Sequence, residues 1–113
     1  MEVRESSLSG LPVLTVTGDV DHLTVQGLEA SVQKTLGANG KCLLVDLADC
    51  PYLDSAGLSV LLCAVREVKG KGWVGVIAPR PNLVRLFEIV GLNSDPDFHI
   101  FSSPDEAAAA LEA

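Results

Sequence analysis

The residues best equipped for chemistry sit just behind an almost unbroken apolar run, Cys42-Leu43-Leu44-Val45-Asp46-Leu47. Asp54, Ser55, Ala56 and Gly57 follow it through a polar turn, and helical periodicity starts at once with Leu58. A carboxylate and a hydroxyl are thereby presented at a strand-to-helix junction. There the first N–H groups of the helix lack intrahelical partners and the helix dipole is positive, so the place suits a hydroxyl, a carboxylate or a phosphate. A second polar loop, Gly18-Asp19-Val20-Asp21-His22-Leu23-Thr24, also joins a strand to a helix. Its Asp19, Asp21, His22 and Thr24 add carboxylates, an imidazole and a hydroxyl.

Simpler roles account for part of this set. Asp54 and Ser55 suit the N-cap of a helix, and Asp21 and Thr24 suit a turn and a cap. His22 has no serine or cysteine nucleophile arranged beside it in the sequence, and His99 falls within a short strand, so neither marks a catalytic centre. Gly18 and Gly27 lack the spacing of a phosphate-binding glycine loop. Cys42, Cys50 and Cys63 form an odd set without Cys-x-x-Cys spacing, which indicates neither a disulfide framework nor a zinc site. Cys42 and Cys63 are expected to pack as small hydrophobes, and Cys50, in the turn before Asp54, to be the more exposed. No enzyme, cofactor, metal or small-molecule substrate is indicated.

These residues are carried by alternating strands and helices. Runs at Val3–Leu8 and Leu11–Thr17 flank Ser9-Gly10, which reads as a tight antiparallel hairpin turn. Thr24 can cap a helix in which Val25, Leu28, Val32 and Leu36 recur at helical steps, with Gly37 as its stop. After the Cys42–Leu47 strand a helix runs from about Ser55 to Lys69, burying Leu58, Leu61, Leu62, Val65 and Val68. Trp73–Ala78 makes a strand, Pro81 opens a helix carrying Leu83, Leu86, Phe87 and Val90, and Gly91 closes it. Phe98–Phe101 is a short last strand, and Ser103-Pro104-Asp105-Glu106 is a capping box before a final helix through Leu111. The expected fold is α/β: a mostly parallel sheet of four to five strands with an antiparallel edge hairpin and about four helices.

At 113 residues with 48% apolar composition, the chain is expected to form one domain, 1–113. Fifteen acidic against eight basic residues give a net charge of -7, which argues against direct nucleic-acid binding, since that rests on Lys and Arg neutralising phosphates. No basic-then-apolar leader is present, and no apolar run reaches the roughly 18 to 20 residues that span a bilayer. The expectation is a cytoplasmic protein without membrane insertion.

Asp54-Ser55-Ala56-Gly57-Leu58 after a buried strand, the earlier loop Gly18 to Thr24, and the segment Pro79 to Leu92 with its Gly91-Leu92 ending together resemble the STAS domain. The similarity runs from about Val3 to Leu111 and is closest to the stand-alone bacterial anti-sigma factor antagonists. The resemblance implies a regulatory module, not an enzyme, that binds an anti-sigma factor which is itself serine kinase-like. It implies a docking surface made of Asp19, Asp21, His22, Thr24, Asp54, Ser55, Ala56, Gly57 and Leu58. In the family the residue after Asp-Ser carries a hydroxyl and is phosphorylated by that partner; here the acceptor position is Ala56, which has no oxygen. Ser55 and Ser59 are the neighbouring hydroxyls that could take its place, although Ser59 also reads as an ordinary exposed helix serine. Other roles in the same family would be a STAS subunit of a lipid-transport ABC system, or a scaffold domain of a stress-signalling complex.

Overall fold

The computed structural model describes residues 1–39 and 41–112. Five strands form one sheet in chain order: β1 (Glu2–Leu8), β2 (Leu11–Thr17), β3 (Cys42–Asp49), β4 (Trp73–Ile77) and β5 (Phe98–Phe101). β1 and β2 pair antiparallel, and every later neighbour is parallel. Between them run helices α1 (Val25–Asn39), α2 (Ser55–Val68) and α3 (Pro81–Ile89), a short 3-10 turn (Leu92–Ser94), and α4 (Pro104–Glu112) after the last strand. The expected mixed sheet, edge hairpin and four helices are all present.

The hairpin closes as its two residues suggest. Ser9 and Gly10 both take positive φ, 52° and 82°, the left-handed pair that matches the twist of the flanking strands. Leu8 then faces Leu11 directly.

Period-two alternation sorts the strand residues onto two faces. Leu14 and Val16 of β2, Leu43, Val45 and Leu47 of β3, and Val74 and Val76 of β4 share one core with Leu28, Val32 and Leu36 of α1, Leu61 and Val65 of α2, and Leu83 and Phe87 of α3. The opposite face is smaller, with Val13, Leu44, Ile77 and Phe101 packed against Ala107 of α4. Three helices therefore cover one side and one helix the other.

Several local expectations give way. α1 runs past Gly37 to Asn39, since Gly37 keeps a helical backbone and nothing crowds it. Its start is capped by Asp21, whose Oδ1 accepts the Leu23 and Thr24 N–H groups, while Thr24 Oγ1 accepts the Asp21 N–H in return. Thr24 is thus the reciprocal half of a capping box rather than the cap. Val90 falls outside α3 and is exposed, and Leu62 is only half-buried, with Val60 and Ala64 taking buried positions on α2. The cysteines are inverted: Cys50 is fully buried and Cys63 is exposed.

Ala78, at the end of β4, has φ 52° and its N–H donates to the Phe101 carbonyl at 2.7 Å. Alanine in this left-handed region carries steric cost that glycine avoids. Ala78→Gly is therefore expected to raise stability by about 0.5 to 1 kcal/mol. Thermal melts of the two chains check it, and an unchanged or lowered Tm would refute the strain.

Candidate functional site

The loops after β2 and β3 meet at the C-terminal edge of the sheet, and backbone hydrogen bonds join them. Gly18 N–H donates to Asp49 O at 2.9 Å, Val20 N–H to Tyr52 O at 2.9 Å, and Asp54 N–H to Val20 O at 3.0 Å. Val20 and Leu53 thus form a parallel bridge beyond the ends of their strands. A register shift precedes it: Thr15 faces Asp46 but Thr17 faces Asp49, so β3 carries an extra residue there. The Asp46 carboxylate accepts the Ala48 N–H in the irregular stretch at 3.0 Å.

One carboxylate then locks the two loops together. Asp54 Oδ1 accepts the N–H groups of Ala56 at 2.9 Å and Gly57 at 3.1 Å, capping α2, while Oδ2 accepts the His22 N–H from the other loop at 3.0 Å. The N-cap role read from the sequence is present, and it is only half of what Asp54 does. His22 Nδ1 stands 4.0 Å from Oδ2. Gly57 serves the same junction. A Cβ there would lie 2.8 Å from Val20 Cγ1 and 2.9 Å from Leu53 Cδ1, so the neighbouring loop's close approach requires glycine.

The remaining members lie around this lock. Asp21 is held below the usual carboxylate range chiefly by the Leu23 N–H; burial opposes this as the next largest effect, and the Thr24 hydroxyl and N–H add further lowering. Thr24 Oγ1 also reaches the Asp19 carbonyl at 3.2 Å. Ser55 is exposed at the first turn of α2, and Ser59 Oγ donates to the Ser55 carbonyl at 2.8 Å. Ala56 opens a shallow groove between α1 and α2, with Val25, Val60, Glu29, Ser59 and Cys63 along it. Leu58 is buried and faces a second groove of about 340 Å³ between α2 and α3, shared with Tyr52, Ser55 and Leu86. Asn82 Nδ2, at the start of α3, donates to the Pro51 carbonyl and ties a third element to the rim.

Cys50 is enclosed beneath the loops, its Sγ 3.4 Å from the Tyr52 carbonyl, and burial pushes the thiol pKa up. A protonated, enclosed sulfur fills space here. Among the described residues no group of three or more His, Cys, Asp or Glu is gathered as metal ligands would be. No helix among them is long and apolar enough to cross a membrane.

The structure brings Asp21, His22, Asp54, Ala56 and Gly57 into one hydrogen-bonded and packed unit, with Asp19 joined through Thr24. Sequence reasoning passed over two residues of this rim, Leu23 and Tyr52, whose side chains are 80% and 51% exposed. The signal was an apolar residue inside an otherwise polar turn, the reverse of what a turn needs.

Fold and site together define an α/β domain that displays two cross-tied strand-to-helix loops at one sheet edge. The STAS domain family profile matches residues 3–107, and the chain belongs to that family. It is 28% identical over 103 residues to the anti-sigma-F factor antagonist RsfB of Mycobacterium tuberculosis, covering 91% of this chain and 83% of the relative. Among solved structures it is similar to an anti-sigma factor antagonist from Mycobacterium paratuberculosis, with TM-score 0.85 and 24% identity over 99% of this chain and 94% of that one. It is also similar to SpoIIAA in its unphosphorylated form, with TM-score 0.77 and 16% identity over 99% of both chains. At these identities the structural likeness speaks for the fold.

Proposed function

We propose that this protein is a non-enzymatic binding module that antagonises an anti-sigma factor, sequestering it and so freeing a sigma factor for transcription. The observation that carries the reading is the Asp54 carboxylate, which fixes the Asp19–Thr24 loop and the first turn of α2 into one preformed surface. Preorganisation of this kind lowers the entropy lost on binding a protein partner. The name of the RsfB relative supports the same partner class.

The partner is a serine kinase-like anti-sigma factor, and Asp19, Asp21, His22, Thr24, Asp54, Ser55, Ala56, Gly57 and Leu58 form or support the surface it meets. In a phosphorylatable chain, a phosphate of about -1.5 to -2 charge at the position of Ala56 would disrupt this docking. With a methyl group at that position, docking persists whether or not the partner's kinase is active. Ser55 is a poor substitute acceptor, because Asp54 already occupies the adjacent helix N–H groups and would repel a second anion. Ser59 Oγ is engaged with the Ser55 carbonyl.

Calorimetry of the purified chain against each anti-sigma factor encoded in the same genome tests the reading, and absence of binding to all of them would refute it. The acceptor position makes a separate prediction. Incubation with the binding anti-sigma kinase and ATP should leave the intact mass unchanged, while Ala56→Ser should gain one phosphate. Stoichiometric phosphate on the unmodified chain, at Ser55 or Ser59, would show that the switch has moved by a residue or a turn.

A further inference from the structure

Leu23 is the most exposed large apolar side chain among the described residues, at 80%, and it stands in the loop that Asp54 fixes. Nothing in the fold calls for leucine here. The capping box Asp21-x-x-Thr24 is flanked by Val20, buried in the core, and Val25, packed against it, which are the two positions of a hydrophobic staple. The apolar work at this helix start is therefore already assigned, and Leu23 contributes only its N–H, which donates to Asp21 Oδ1. Tyr52 repeats the pattern on the other loop. Its carbonyl accepts the Val20 N–H while its ring is 51% exposed at the mouth of the groove between α2 and α3.

Leu23, largely exposed, and Tyr52, half-exposed, thus project from the two loops that one carboxylate holds in register. Acidic groups surround them: Asp19 and Asp49 are exposed, and Asp21 and Asp54 are partly so. Interfaces place their energy in a few apolar or aromatic anchors that fill pockets, with a charged rim that steers approach. We propose that Leu23 and Tyr52 are the anchor residues of the docking surface, entering apolar recesses on the anti-sigma factor whose margin is basic. The acidic rim then sets the approach and the two anchors set the residence time. This rests on the partner class proposed above.

The experiment measures Leu23→Ser and Tyr52→Ser by calorimetry against the anti-sigma factor that binds the unmodified chain best, with Ile89→Ser as reference. Ile89 is 75% exposed on α3, away from the rim, and so tests whether any exposed apolar loss has the same effect. Each anchor variant should lose about 30-fold or more in affinity with its melting temperature unchanged, and Ile89→Ser should match the unmodified chain. Anchor variants that bind within twofold of the unmodified chain overturn the anchors and leave the antagonist reading standing. An equal loss in Ile89→Ser overturns the assignment of specificity to this rim. If the unmodified chain binds none of the anti-sigma factors, the antagonist reading fails and this inference fails with it.

Discussion

Gly72→Ala should be among the most damaging single-methyl additions in this protein. A Cβ at position 72 would lie 1.9 Å from the Lys41 carbonyl oxygen and 2.4 Å from its carbon. That carbonyl also accepts the Trp73 N–H at 3.1 Å, where β4 begins to pair with β3. The obstacle is backbone at the start of the central pair, so a rotamer change cannot relieve it. We expect a loss of about 3 kcal/mol or more, lowering Tm by roughly 12 °C in a chain of this size. Gly37→Ala provides the contrast, because the site is helical and open. It should gain about 0.5 to 1 kcal/mol from helix propensity. Chemical denaturation of both variants gives the two signs, and a Gly72→Ala chain as stable as the original would refute the close approach.

The second large effect separates two aspartates by the same substitution. Asp21 uses a single oxygen, Oδ1, for the Leu23 and Thr24 N–H groups, so asparagine can keep both bonds and remove only the charge. Asp54 uses both oxygens, Oδ1 for Ala56 and Gly57 and Oδ2 for His22. An asparagine there has one acceptor oxygen, and either orientation sets its NH2 against an N–H group. Asp54→Asn should cost about 1 to 3 kcal/mol, speed hydrogen exchange of the His22 amide, and weaken partner binding about tenfold or more. Asp21→Asn should leave that exchange unaltered and affect only the association rate and its salt dependence. Identical exchange and melting behaviour in the two variants would mean that Asp54 does not lock the loops.

Most of the architecture was legible because it is written in local patterns. The almost unbroken apolar run of β3 and the Ser9-Gly10 turn each state their own geometry, and Ser103 Oγ caps α4 by accepting the Glu106 N–H at 3.1 Å, although the Glu106 carboxylate reaches back to the Ser102 N–H rather than completing the expected box with Ser103. The misreadings are of two kinds, contacts made over long sequence separations and local choices of cap, stop or helix face. Cys50 looks like a turn residue, but the turn is roofed by the Gly18–Val20 segment, so it is buried. Cys63 lies beside leucines in sequence yet on the outer face of α2, because Val60 and Ala64 take the inner positions. Gly37 shows that glycine ends a helix only where the chain turns left-handed, as it does at Gly91 with φ 82°. At the site, Asp54 was recognisable as a cap from its neighbours alone. Its bond to His22, 32 residues earlier, has no local signature.

The agreement between chain order and spatial order in the sheet bears on how the molecule is made. After the first hairpin, each new strand docks against one already in place, so no strand has to be threaded between two finished neighbours. Growth from the amino terminus can therefore proceed by addition. The Asp19–Thr24 loop is the exception: its Val20 bonds and its His22 tether all come from residues 52 to 54, so it waits for β3 and the turn beyond it. A nascent chain therefore completes this pair of loops only after the central strand and the turn beyond it have emerged, and can do so before β4 and β5 exist.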